Sequence, residues 1–163
     1  MIRKLHHNAY RCRDSEQTRA FYEGFLGLPL AGTLQIEETK TGRSTQVLHT
    51  FYRLDDGSFL AFFEAPEPFE FKAQRDYDLH IALEVERAAL DEMLAKGRAL
   101  GIEARGISDH GFIESIYFRD PNGYVIELCA KRANHDAAMD PKLNGAREKL
   151  DRWTRAKDHE PQR

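Results

Sequence analysis

Cysteine is scarce in this chain: Cys12 and Cys129 are the only two, too few for a disulfide framework. Long apolar runs are missing, so no segment is suited to cross a membrane as a helix. The opening stretch, MIRKLHHNAYRCRD, lacks the hydrophobic block of a secretory signal. An excess of either charge is missing too. The 24 basic residues against 27 acidic ones leave a formal charge of −3, which excludes the basic footprint of a nucleic-acid-binding domain. The expectation is a cytoplasmic chain with neither membrane nor nucleic acid as partner.

What is present suits one globular domain: 163 residues, 41% hydrophobic and 31% charged. Leu5–Arg13 reads as a strand entering a helix, with Asp14 as N-cap and Gln17 at capping-box spacing. Phe21, Tyr22, Phe25 and Leu26 give that helix its apolar stripe, and Gly27 with Pro29 closes it. Strands are expected at Pro29–Glu38, Thr45–Leu54 and Ser58–Glu64, with Asp55-Asp56-Gly57 turning the last hairpin. A linker rich in proline and charge, Ala65–Arg75, follows. The order then recurs. A strand, Tyr77–Val85, precedes a helix, Ala88–Leu100, with Leu90, Met93, Leu94 and Gly97 on one face. Strands at Ile102–Ile107, Phe112–Arg119 and Tyr124–Ala130 complete the set, with Asp120-Pro121-Asn122-Gly123 as the final turn.

Strand, helix and three strands thus occur twice, in halves of about 60 to 70 residues. The repeat lies in element order, not in letters. The expected class is α+β: two βαβββ modules, at about residues 3–65 and 76–131, within one domain spanning 1–134. Residues 135–163 form a polar tail, with a peripheral helix at Pro141–Lys157 turning Leu143, Ala146 and Leu150 inward. The last residues are expected to be disordered.

Side chains alternate across a strand, so parity sorts them into two sets. Tyr77, Leu79, Ile81, Leu83 and Val85 form an apolar face, leaving His80 and Ala82 opposite. In the last strand Ile126, Leu128 and Ala130 share one face, and Val125, Glu127 and Cys129 the other. Ile116 and Phe118 point to the helices, while Ser115 and Tyr117 point away. Polar chemistry therefore gathers on the face that helices do not cover, which a curved sheet would turn into a cleft. Two imidazoles and a carboxylate suit a divalent first-row metal and leave positions open for substrate and oxygen. His7, His80 and Glu127 are such a set, with no compact spacing; by composition and parity alone, solvated His and Glu are the commoner outcome.

Several segments resemble the glyoxalase, bleomycin-resistance and type I extradiol dioxygenase superfamily. They are Leu5-His6-His7 with Asp14, Thr18-Arg19-Ala20-Phe21-Tyr22, Phe25-Leu26-Gly27-Leu28, the run Asp78 to Val85 around His80, and the run Tyr117 to Leu128 ending in Glu127-Leu128. The resemblance covers about residues 3–130 in order. It implies a cupped mixed sheet with helices outside, and one divalent metal held by His7, His80 and Glu127, with His6 as the alternative to His7. Where glyoxalase I-like members carry a fourth ligand, a Glu, this chain aligns Ala61; Glu64 is the remaining candidate.

His110, Tyr117, the Asp120–Gly123 turn and Glu127 together are similar to the C-terminal signature of type I extradiol dioxygenases, in which the His and Tyr lie beside an aromatic diol. The resemblance thus implies Fe(II) (with Mn, Ni or Zn as other metals), a catechol-like substrate and O2. His110 would be the acid–base group and Tyr117 the hydrogen-bonding one. Phe51 and Phe62 are candidate pocket walls, and Arg11 a candidate partner for a substrate carboxylate. Two features depart from the pattern: Ser108, two positions before His110, differs from the residues usual there, and no His lies between Thr50 and Leu79, His49 reading as structural. The rival readings are a glyoxalase-like lyase or isomerase with Glu64 or Glu127 as base, and a non-catalytic binding protein. Features that would bind a phosphonate are not found. Homodimers are common in the family, so a triad shared between chains is open.

Overall fold

The computed structural model describes residues 1–157. After β1 (Tyr10–Arg11), α1 (Ser15–Arg19) continues into a π-helical turn over Ala20–Phe25. Asp14 caps the start, its carboxylate accepting from Gln17 N at 2.7 Å. The wider π turn, with Leu26 N bonded to Phe21 O, lets Phe21, Tyr22 and Phe25 all be buried. Strands β2 (Leu30–Glu38), β3 (Ser44–Arg53) and β4 (Phe59–Glu64) complete the first module. The second holds β5 (His80–Glu84), α2 (Arg87–Ala99), β6 (Ala104–Asp109), β7 (Ile113–Arg119) and β8 (Val125–Lys131). Two tail helices follow, α3 (His135–Met139) and α4 (Ala146–Lys157).

The modules form two four-stranded mixed sheets, ordered β1-β4-β3-β2 and β5-β8-β7-β6. Each contains one parallel pair, β1 with β4 and β5 with β8. β1 and β5 are thus end strands of their sheets, a position that leaves main-chain groups open to pairing. Helices cover one face only. On that face Tyr22 packs on Tyr52 and Phe62, with ring centroids 5.5 and 4.6 Å apart, and Phe25 meets Phe118 edge-on at 5.0 Å. Burying side chains of this size stabilises by roughly 1.5–3 kcal/mol each. Gly97 is needed for this packing: a Cβ there would lie 2.5 Å from the Phe118 ring.

Polar bonds tie the modules together. Tyr22 Oη donates to Asp120 Oδ2 at 3.0 Å, Arg13 N to Asn122 Oδ1 at 2.8 Å, and Tyr124 Oη to Arg11 O at 2.9 Å. Burial pushes the Asp120 carboxyl up, against hydrogen bonds from Asn122, Tyr124 and Tyr22 that favour its charged form.

Three sequence expectations change. The first strand is broken: His7 makes a lone bridge to Phe59, and pairing resumes only at Tyr10. The side chain of Asn8 takes over there, accepting from Ala61 N at 2.8 Å. Tyr77 lies outside β5 and is exposed, because Asp78 N and Leu79 N both turn back to Arg75 O. In the tail, Leu143 and Leu150 are exposed rather than inward, Ala146 is exposed as well, and α4 buries no residue. The expected disorder of the final residues lies outside the described residues.

Candidate metal centre

The registers across β5, β8, β7 and β6 set Ala82, Glu127, Tyr117 and Arg105 in one row on the helix-free face. His80 stands on the same face beside Val125. Its Nε2 lies 3.2 Å from Glu127 Oε2, so imidazole and carboxylate converge on one point. Both are oriented by a further contact. His80 Nδ1 meets the Asp76 carbonyl, which leaves Nε2 facing the cleft. Ser115 Oγ, fully buried, donates to Glu127 Oε1 at 2.5 Å. A metal-binding imidazole and carboxylate need such supports, and this pair has both.

Further along the row, His110 Nε2 and Tyr117 Oη are 2.8 Å apart. Burial first, and the nearby Glu127 carboxylate second, push the Tyr117 phenol up, so it keeps its proton and can donate.

His7 is on the other sheet. The bridge to Phe59 puts it on the helix-free face of β4, together with Ala61 and Phe63. Its ring lies 5.6 Å from Phe51 and 5.9 Å from His49, and its Nδ1 is 2.8 Å from His6 Nδ1. Among the described residues of one chain, no three His, Cys, Asp or Glu side chains come together as a metal-binding group. His80 and Glu127 meet within the chain, and His7 does not join them there.

Phe51, a candidate pocket wall in the sequence reading, lies on the helix-free face beside His7. Phe62 does not. It is wholly buried against Tyr22 and Tyr52, because strand parity gives the cleft to Ala61 and Phe63 instead. Glu64 shares the Phe62 parity, and its Oε2 accepts from Ser15 N at 2.6 Å at the start of α1. It therefore serves the helix terminus and not a fourth coordination position. Arg11 is occupied as well, donating at 2.8 Å to both Ala65 O and Glu67 O, so it straps the linker rather than waiting for a substrate.

Sequence reasoning gave no site role to three residues, reading His49 as structural and Ser115 only as facing away from the helices. His49 is buried beneath Phe63, with ring centroids 3.6 Å apart, and its Nε2 has no hydrogen-bond partner among the described residues. Desolvation and the neighbouring His7 lower its pKa. Its parity with Phe51 was the available signal. Ser115 was assigned to the correct face, but only the β7–β8 register reveals it opposite Cys129 and within reach of Glu127. Arg105 lies over the Tyr117 ring, its Cζ 4.2 Å from the centroid. Nothing local in the sequence marks it.

Comparison with known proteins agrees with this architecture. The sequence pattern of the Glyoxalase/Bleomycin resistance protein/Dioxygenase superfamily matches residues 4–128. No curated protein matches. Among solved structures, a variant of the fosfomycin resistance protein FosX from Listeria monocytogenes, complexed with Mn(II) and 1S,2S-dihydroxypropylphosphonic acid, is 24% identical. The match covers 83% of this chain and 98% of that one, with a TM-score of 0.60. FosX from Mesorhizobium loti is 24% identical over 85% of this chain and 99% of that one, at 0.62. A glyoxylase/bleomycin resistance protein/dioxygenase domain from Frankia sp. EAN1pec is 17% identical over 81% and 100%, at 0.63. These likenesses are of fold.

Proposed function

The chain belongs to the glyoxalase/bleomycin resistance protein/dioxygenase superfamily, and on that premise we propose that it is a divalent-metal-dependent, extradiol-type dioxygenase acting on a catechol-like substrate. The observation that carries the reading is the row on the second sheet. His80 and Glu127 converge at 3.2 Å, and the His110–Tyr117 hydrogen bond lies beside them on the same face.

The donor set fits a divalent metal, Fe(II) foremost, once His7 is supplied by a second copy of the chain. His7 leads into β1 and His80 opens β5, both at end strands, so two copies related by a twofold axis would complete two equivalent triads. The metal, when bound, would supply Lewis acidity that makes a diol hydroxyl acidic near neutral pH, and a route for electrons to O2. Both atoms of O2 end in the ring-opened product, so no further reductant is consumed.

The protein's own groups do the rest. Tyr117 Oη donates a hydrogen bond to a diol oxygen, and its raised phenol keeps the proton in place. His110 Nε2, 2.8 Å from Tyr117 Oη, takes up or returns a proton at the diol beside it. Phe51, Phe59 and Phe63 on the His7 face provide the apolar wall on which a flat ring lies and from which water is kept. Glu64, held at the helix start, is not available as a fourth ligand, which weakens the lyase reading.

The test is to purify the chain anaerobically, identify its metal, and follow oxygen uptake with 3-substituted catechols. Uptake with a yellow ring-opened product is the expected result. A second reading, oxygen-independent chemistry on Mn(II), draws support from the Mn(II) held by the FosX protein. Turnover of a hemithioacetal without oxygen uptake would favour it.

A further inference from the structure

We propose that Arg105 is the anchor for an anionic group on the substrate, so that the chain selects catechols bearing a carboxylate over neutral ones. The inference rests on the catechol reading above and adds the substrate's charge to it.

Arg105 shares the helix-free row with Tyr117 and Glu127, one strand beyond Tyr117. Neighbouring strands are about 4.8 Å apart, so Arg105 starts roughly two strand spacings from the metal-binding carboxylate. Its side chain folds back over the Tyr117 ring, with Cζ 4.2 Å from the centroid. The guanidinium therefore stands about one aromatic ring from the point where diol oxygens would bind. A substituent on the ring would reach it, while the diol stays between His80 and Tyr117.

Its charge remains usable. Among the described residues the only hydrogen-bond acceptor for Arg105 is Asp76, engaged through Nη2 alone. That pair is half-exposed on both sides, and exposed pairs add little to stability. A guanidinium has five donors in a planar fork, so a carboxylate can be gripped at the edge that Asp76 leaves open. The other arginine on a helix-free face near a candidate ligand, Arg11, has its Nη2 taken by two carbonyls. Among the described residues, only Arg105 is both placed and open.

A purely structural alternative exists, because Asp76 also holds His80 through its carbonyl. Arg105 could merely brace that turn. The two roles separate by substrate charge. Anaerobic calorimetry on the Fe(II)-loaded protein would compare 3,4-dihydroxyphenylacetate with its neutral amide, alongside KM for both in oxygen uptake. The wild type is expected to bind the acid about tenfold more tightly than the amide. Arg105→Met should abolish that preference, the acid losing about tenfold more affinity than the amide, and Arg105→Lys should restore part of it. An equal loss for acid and amide in Arg105→Met would overturn the proposal in favour of the brace. Binding of both by the wild type without preference would overturn it as well. Binding of neither, with metal present, would overturn the catechol reading itself.

Discussion

The two modules share an element order, yet their helix-free faces are unlike. The C-terminal face is a connected polar row in which His80, Glu127, Tyr117, His110 and Arg105 each touch another member or a supporting group such as Ser115 or Asp76. The N-terminal face is a wall of Phe51, Phe59, Ala61 and Phe63, with His7 at its edge and His49 buried among the rings. A repeated scaffold thus divides the work. On the proposed function, one copy of the module would present two ligands and the proton carriers, and the other apolar surface and a single ligand. Among the described residues of one chain, His7 stays apart from His80 and Glu127, so on the proposed function neither face would suffice alone.

The strongest way to break the comparison is to silence the polar face. Glu127→Gln should lower metal affinity by more than about 100-fold and remove turnover, whereas Phe51→Leu on the wall should leave metal content unchanged. Metal analysis after gel filtration checks both. If Glu127→Gln retained its metal, the division would be wrong.

Next comes the sharing between copies. His7→Ala and Glu127→Ala should each be inactive alone. Mixed and reassembled in equal amounts, they should recover about a quarter of wild-type activity, because half of the dimers are mixed and each of those holds one intact site. No recovery would overturn the sharing between copies.

A smaller effect concerns support. Ser115→Ala removes the donor to Glu127 Oε1 and should weaken metal binding by about 10–100-fold without unfolding the chain. Competition with a chromophoric chelator measures it.

The smallest effect lies at the seam that joins the modules. Asp120→Asn replaces an acceptor of several hydrogen bonds and should cost about 1–2 kcal/mol in thermal unfolding. Burial raises the folded-state pKa of Asp120 above its unfolded value of 3.8, so its stabilising contribution is complete below 3.8 and is lost as pH rises through the folded value. The wild-type advantage over Asp120→Asn should therefore narrow as pH rises out of the acid range.

Much of the scaffold was legible in the chain. The caps at Asp14 and Gly27 and the apolar parity of β7 and β8 each express a local rule, and local rules act within a few residues. Parity failed where a side chain replaced the backbone, as Asn8 does in the first strand. Phe62 was misplaced because parity was not applied to β4, where it assigns the helix-free face to Ala61 and Phe63. The tail helix was found by its period, but its apolar residues have no surface to meet among the described residues, so period did not translate into burial.

By itself the sequence determined the two βαβββ modules, their turns, and which residues of β5, β7 and β8 avoid the helices, because hydrophobic period and turn chemistry are written residue by residue. Only the tertiary structure decided that His80 reaches Glu127, that Ser115 and Asp76 support them, that Glu64 and Arg11 are committed elsewhere, and that Arg105 lies over Tyr117. Those contacts join strands that are distant in the chain, and their register is fixed by packing across the whole sheet rather than by any neighbouring letter.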